Sequence, residues 1–481
     1  MPAVSVFYPG PEKEGRANLA VVLLERLARE AGVTAVETVY WQRGRLLGQG
    51  RHRRAASRRV WLLTAAYEQQ WPVLPAALRA AGIAPLAARR GEADPLVVAG
   101  GVSLALNPGP LSAFADVLVG GDAEPVLGSI LGEVEASGHG SRAALLERLA
   151  GLDGVRTSAS PAEVSPLFHT GDCPAAQTDA AAGSHLGGMV LVETGRGCPV
   201  RCRFCAVGHL RPRPLFFPPA EIIAAARRAW RPGLRVGLVG AGLSWHPQLD
   251  EIIAGLEEFS ADLSPASLDA RLLAAGRGRR LLRHLAASRQ RTVTLAPESG
   301  SERLRRHLGK HISDEVLEGA VRRLVEAGVL HLKLYLMYGL PGESDGDLQD
   351  AVRLARRVRA WMDDVQRPRG RAGRLQVSAN PFVPKPATPW GDQPMPALVE
   401  LRRRFRFLRD RLAGLGGVDV SGLSPRLAVL QCLLDRAGPE LAPLLGACRG
   451  KWPPPAGLLD QLAPGWQRLV HQRRPAAARR T

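Results

Sequence analysis

The stretch VETGRGCPVRCRFCAVG, residues 192–208, carries most of what the sequence says. It ends a short apolar run, GMVLVET (188–194), that reads as a strand. Cys198, Cys202 and Cys205 then follow within eight residues, spaced C-x-x-x-C-x-x-C. Three thiolates on one short loop can hold three irons of a cubane iron–sulfur cluster and leave the fourth iron open to another ligand. The same open position separates catalytic from structural metal sites. Zinc is the alternative, with His209 completing a Cys3His set. Cys173, Cys432 and Cys448 stand alone, and six cysteines in 481 residues do not suggest a disulfide scaffold.

Downstream of the cysteines, apolar runs alternate with helical patterns. RVGLVG (235–240), EFSADL (258–263), RTVTLAP (291–297), HLKLYLMYG (331–339) and LQVSANPF (375–382) read as strands. PPAEIIAAARRAW, ISDEVLEGAVRRLVEAG and DGDLQDAVRLARRVRAWM separate them with helical spacing. Six β/α units in a row predict a partial (β/α)6 barrel over 188–390, with its chemistry at the carboxyl ends of the strands.

Upstream, VSVFY (4–8), RVWLLTA (59–65), PLVVAGG (95–101) and ADVLVGG (115–121) read as strands. NLAVVLLERLAREAG (18–32) is helical, with an Asn start and a Gly stop. This βαβ pattern predicts a flavodoxin-like or Rossmann-like parallel sheet over 1–140. Gly100-Gly101 and Gly120-Gly121 end two of its strands, where ligands of such sheets sit; tight turns account for them equally well. Residues 141–187 are rich in small and polar residues and read as a linker or crossover. From 391 to 481 the chain is Leu- and Arg-rich, a helical extension with a basic tail.

Composition narrows the function classes. Net charge is +19, yet only Lys13, Lys310, Lys333, Lys385 and Lys451 are lysines among 64 basic residues. The 59 arginines are scattered, which favours a solvated surface; a polyanionic partner such as RNA is the alternative. No apolar stretch approaches the ~18 residues of a membrane span, and the N-terminus lacks a secretory signal, so a soluble cytoplasmic protein is expected. No G-x-x-x-x-G-K-[ST] or G-x-G-x-x-G follows a predicted strand, which disfavours an ATPase or a dinucleotide oxidoreductase.

With its aromatic residue before the last cysteine, C198-P-V-R-C202-R-F204-C205 resembles the radical S-adenosylmethionine (SAM) superfamily. The resemblance continues in order through GLVGAG (237–242), LAPESGSERL (295–304), LYLMYGLPGES (334–344) and NPFVPKPATPW (380–390), about 200 residues in all. It implies a 4Fe-4S cluster on Cys198, Cys202 and Cys205, and reductive cleavage of SAM to a 5′-deoxyadenosyl radical. It also places Phe204, Gly240, Ala241, Gly242, Glu298, Ser299 and Arg303 near SAM. Arg303 or SAM itself would satisfy the Glu298 carboxylate, and Phe204 would pack the cluster loop.

The front domain resembles that of the cobalamin-binding subgroup in GGVSLALNPGPLSAFADVLVGGDAEPVL (100–127), which implies Gly100, Gly101, Gly120 and Gly121 as cobalamin contacts. The D-x-H-x-x-G element that supplies a cobalt-ligating histidine is absent; the first histidine is His52, and the loop after the first strand reads PGPEKEG. The implied function is a cobalamin-dependent methyltransferase or a related radical modification of a small molecule or peptide. Flavodoxin or ferredoxin would supply electrons. Alternatives are a radical SAM enzyme of RNA or tRNA, and a cobalamin-independent enzyme with a degenerate front domain. The methylthiotransferases of RNA carry three more cluster cysteines upstream, whereas residues 1–172 here contain none.

Overall fold

The structure is a computed structural model. It describes all residues except 1–2, 49–58, 139, 159–165, 178–185, 260–261, 266, 275, 277, 289–291, 456 and 475–481. His52, part of the predicted linker and the end of the basic tail lie outside the described residues. Two compact units emerge: Met1–Gly171 with Ala181–Gly187 and Leu433–Leu469, and Asp172–Ala180 with Gly188–Cys432 and Val470–Thr481.

The first unit holds seven strands: β1 (Val4–Tyr8), β2 (Val36–Gln42), β3 (Arg45–Gly48), β4 (Val60–Thr64), β5 (Leu96–Gly100), β6 (Val117–Val119) and β7 (Val155–Thr157). Their order is β3-β2-β1-β4-β5-β6-β7. The central five are parallel, and β3 and β7 close the edges antiparallel. This is the flavodoxin-like order, one of the two parallel-sheet arrangements the sequence left open, with its switch point between β1 and β4. β1 and β4 are buried at every position, as suits strands covered on both faces. The hairpin β2–β3 was not predicted; its Glu, Gln and Arg residues mask the apolar run. The helix Leu19–Glu30 begins where predicted, because Asn18 Oδ1 accepts from the amides of Ala20 and Val21 at 2.9 and 3.3 Å. Residues 433–469 belong to this unit: Asn107 Nδ2 donates to the carbonyls of Leu434 and Ala437 at 2.9 and 2.8 Å.

One buried carboxylate ties the middle of the sheet together. Asp116 accepts from Arg90, from Arg142 and from the Val97 amide at 2.7, 2.8 and 2.8 Å. The Arg90 side chain is wholly buried.

The second unit holds β8 (Met189–Glu193), β9 (Gly195–Arg196), β10 (Leu215–Phe216), β11 (Arg235–Val239), β12 (Asp262–Pro265), β13 (Thr292–Glu298), β14 (His331–Tyr338), β15 (Leu375–Pro381) and β16 (Val418–Ser421). β8, β11 and β12 form one parallel sheet, and β13 to β16 another. A bridge between Leu268 and Leu295 joins the two edges. The result is the predicted six-stranded partial barrel, extended by β16, which interrupts the region expected to be helical. Strand β12 lies C-terminal to the centre of EFSADL, because the helix Leu249–Glu257 runs up to its start.

Replacing Asp116 by Ala strands the Arg90 guanidinium in the core, and breaking a buried pair on one side costs about 3–5 kcal/mol. Urea unfolding of the Asp116→Ala variant should show a loss of that size; a loss under ~1 kcal/mol, the worth of an exposed pair, would contradict this role.

Candidate functional site

The three cysteines sit on a loop closed at its base by a ribbon. β9 pairs antiparallel with β10, Arg196 opposite Leu215 and Gly195 opposite Phe216. Residues 197–214 are thus held between them, at the carboxyl end of β8. Within the loop the Cys205 amide donates to the Cys202 carbonyl at 3.0 Å. Arg201 takes a left-handed backbone, φ 51°. The loop is pinned from outside as well: the Arg203 amide donates to the Leu308 carbonyl at 2.9 Å, and the Trp390 amide to the Arg203 carbonyl at 3.1 Å. Phe204 packs with Met337 against the apolar cluster of Leu304, Leu308, Leu340, Phe382 and Trp390.

Cys202 is buried, and Cys198 and Cys205 are half-buried. Burial pushes the Cys202 thiol up to about 12, although Lys310 pulls it the other way. Burial also raises Cys205, against the amides of Gly208 and Val207 that point at its sulfur. Thiols in such surroundings become thiolates only when a metal centre displaces their protons. Among the described residues no three His, Cys, Asp or Glu side chains converge on a single ion. A mononuclear zinc requires convergence, whereas a cubane binds each thiolate through a different iron. Three thiolates on one short loop suit a cubane, which leaves its fourth iron open. His209, the suggested fourth zinc ligand, has its Nε2 at 3.2 and 3.0 Å from the carbonyls of Arg201 and Cys202. It braces the loop.

Charged groups surround these thiols in two pairs. Lys310 donates to Glu298 at 2.9 Å, both side chains being largely buried. Burial disfavours the Lys310 charge, but Glu298 and Cys202 outweigh it and hold the ammonium above the usual lysine range. Glu298 itself sits at a β-bulge in β13, with φ at +67°, a conformation a non-glycine residue adopts only when its surroundings impose it. Arg271 grips Asp269 through two hydrogen bonds of 2.9 and 2.8 Å, and its guanidinium lies 4.8 Å from the Trp245 ring centre. Burial opposes the Arg271 charge, and Asp269 more than restores it, with help from Cys202 and Cys198.

The other sequence candidates are placed as follows. Gly240 and Gly242 end β11, beside the approach to the cysteine loop: a Cβ on Gly240 would overlap the Thr194 hydroxyl, and one on Gly242 would stand 3.2 Å from the Gly197 carbonyl oxygen. Ala241 between them is exposed. Ser299 is buried; its Oγ accepts from the Ser301 amide at 3.2 Å and its carbonyl from Arg305 at 3.1 Å. Arg303 does not satisfy Glu298. It donates to Asp347 and to the Gly342 carbonyl at 2.7 and 3.0 Å, with 60% of its side chain exposed. Asp347 belongs to the capping box that starts the helix Asp345–Gln366. In the first unit, Gly101 (φ +114°) leaves room for the Ala65 carbonyl and Gly121 (φ +103°) for that of Leu167, so both serve close approaches of their own chain. Gly100 and Gly120 stand at the ends of β5 and β6.

Two residues that hold the site were missed. Arg305, fully buried, donates to the carbonyls of Ser299, Gly300 and Ile312 and to Asp314, and so shapes the segment carrying Lys310. Lys310 carried a legible signal, since a lysine is rare in a chain whose cations are otherwise arginine. Lys310→Met should cost about 3–5 kcal/mol in unfolding by leaving Glu298 buried and unpaired. The double variant with Glu298→Gln should recover part of that loss. Equal losses in the single and double variants would show that the pair is not the source.

Residues 192–355 match the family model described as the radical SAM superfamily, and residues 34–156 match that of the N-terminal region of radical SAM proteins. An uncharacterized protein of Methanocaldococcus jannaschii, MJ0966, is 27% identical over 368 residues, 74% of each chain. Among solved structures, the radical SAM methyltransferase TsrM from Kitasatospora setae superposes with a TM-score of 0.56 at 14% identity, over 85% of this chain and 77% of that one. The cobalamin-dependent SAM radical enzyme OxsB gives 0.52 at 14% identity over 74% of this chain. The match spans about half of OxsB, 52%. Residues 192–355 belong to the radical SAM superfamily, residues 34–156 match the N-terminal region of its proteins, and the chain has the fold of the cobalamin-dependent members OxsB and TsrM.

Proposed function

We propose that this enzyme holds a 4Fe-4S cluster on Cys198, Cys202 and Cys205, and that its first unit binds a corrinoid for methyl transfer to a small molecule or peptide. The observation that carries the reading is the loop of buried thiols at the carboxyl end of the barrel, beside the Lys310 ammonium. With SAM on the open iron, such a cluster supplies one-electron cleavage to a 5′-deoxyadenosyl radical, and a corrinoid supplies a methyl carrier. The electron comes from a donor of the flavodoxin or ferredoxin class.

The chain's own residues have positional work. Phe204 and the Leu308 and Trp390 backbone contacts fix the loop, so the ligating sulfurs need little rearrangement. Lys310 and Arg271 place positive charge near sulfurs that carry negative charge once ligated. Ala241, exposed between half-buried Gly240 and buried Gly242, follows β11 and offers its backbone to the amino-acid portion of SAM. In the first unit, Tyr67 and Val102 follow β4 and β5 and are 64% and 43% exposed. An apolar edge beside the switch point suits a flat ring system.

Anaerobic reconstitution should give about four irons and four sulfides per chain. Cys198→Ala, Cys202→Ala and Cys205→Ala should each abolish the cluster absorbance and SAM cleavage, while Cys173→Ala keeps both. Stoichiometric zinc in place of iron would sink this reading.

Hydroxocobalamin should bind with its own base displaced and no protein nitrogen below the cobalt, since the loop after β1 offers no histidine. Electron paramagnetic resonance of the Co(II) form reads this, because a lower nitrogen splits each cobalt line. A split spectrum would make His169, whose amide donates to Asp122 beyond β6, the residue to replace. Failure to bind cobalamin removes the methyl-transfer part alone.

A further inference from the structure

Strand β14 alternates cleanly. Leu332, Leu334, Leu336 and Tyr338 are buried; His331, Lys333, Tyr335 and Met337 are half-buried. The first set faces the covering helices, as Tyr338 shows by stacking on Phe405 of the helix Leu398–Ala413 with centroids 5.9 Å apart. The second set therefore lines the concave side of the barrel. Register places Lys333 between Thr294 of β13 and Gln376 of β15, Tyr335 beside Ser378, and Met337 beside Asn380. Barrels of this kind normally fill their interior with branched apolar side chains. This concave surface is polar instead.

Lys333 is the unusual member. It is half-buried, yet among the described residues it has neither an ion pair nor a hydrogen bond, and its Nζ lies 5.1 Å from the centre of the Tyr335 ring. Lys310, by contrast, is matched to Glu298. Tyr335 and Met337 follow on the same face toward the carboxyl end of β14, and Met337 packs on the same apolar cluster as Phe204 of the cysteine loop. Holding an ammonium partly out of water without a counter-charge is unfavourable, and a ligand anion would relieve it. It is also a lysine where arginine supplies 59 of 64 cations. An ammonium offers a single charge and three donors, and the amide and hydroxyl groups beside it add no second charge, which suits a ligand with one negative charge such as a carboxylate.

We propose that Lys333, on the concave face of β13 to β15, receives a carboxylate of a small polar substrate. Gln376, Ser378 and Asn380 lie along the same face, Gln376 donating to Ser421 at 3.3 Å and Asn380 joining Ser378 to the Leu423 amide at 3.3 and 2.8 Å, and the Tyr335 ring borders the ammonium. This rests on the radical SAM reading and names the substrate class for its site.

The test titrates succinate, its neutral diamide and inorganic phosphate into the cluster-loaded protein by calorimetry. Succinate should bind once per chain, at least tenfold tighter than either of the other two. Lys333→Met should weaken succinate at least tenfold, and Lys333→Arg should restore most of it. Cluster absorbance and SAM affinity should stay unchanged in both variants. Absence of saturable succinate binding, equal binding by Lys333→Met, or tighter binding of phosphate overturns the proposal. Loss of cluster or SAM cleavage in the unaltered protein would instead overturn the radical SAM reading, so the two failures are separable.

Discussion

The buried ion pair between Lys310 and Glu298 is the constraint around which the barrel's carboxyl end is arranged. Desolvating two charges is costly, and only close, well-formed contact repays it. Glu298 is held in a left-handed conformation at a bulge, and Lys310 is held by the turn that follows the helix Glu302–His307. That turn also presents the Leu308 carbonyl to the Arg203 amide. One electrostatic contact and one backbone hydrogen bond thus link the end of β13 to the cysteine loop. Arg305 stiffens the same segment by spending its donors on backbone carbonyls, which no apolar residue could do.

The cysteine loop itself is defined more by backbone than by side chains. The β9–β10 ribbon, the left-handed Arg201 and the His209 brace all act before any metal arrives. Preorganisation of this kind matters because buried thiols resist ionisation, and a centre that must bind three at once gains if their positions are already restricted. The polar concave face beneath the loop follows a different logic: it leaves polar side chains, and one unmatched ammonium, where a closed barrel would place aliphatic layers.

In the first unit the glycines after β5 and β6 do double duty. Gly101 and Gly121 are consumed by approaches of the Ala65 and Leu167 carbonyls, leaving half-buried Gly100 and Gly120 at the ends of β5 and β6 and exposed Tyr67 and Val102 after β4 and β5. The Asn107–Pro108–Gly109 turn is likewise an internal fastening, because Asn107 binds the carbonyls of Leu434 and Ala437.

Much of this was local and therefore legible. Apolar runs, Asn18 at a helix start, and the C-x-x-x-C-x-x-C spacing determined much of the strand and helix order, the parallel sheets and the cysteine loop, because each depends on neighbours within a few residues. What depends on distant partners was hidden. Glu298 was visible as a buried carboxylate, but its partner was misjudged: Arg303 is five residues away and turns to Asp347, while Lys310, twelve residues away, returns through a turn. The strands β3 and β16 were missed because they are short and sit at sheet edges, and β2, one place in from an edge, because Glu37, Thr38 and Gln42 interrupt its apolar run. The isolation of Lys333 likewise belongs to tertiary structure alone, since a missing partner is defined by every strand around it.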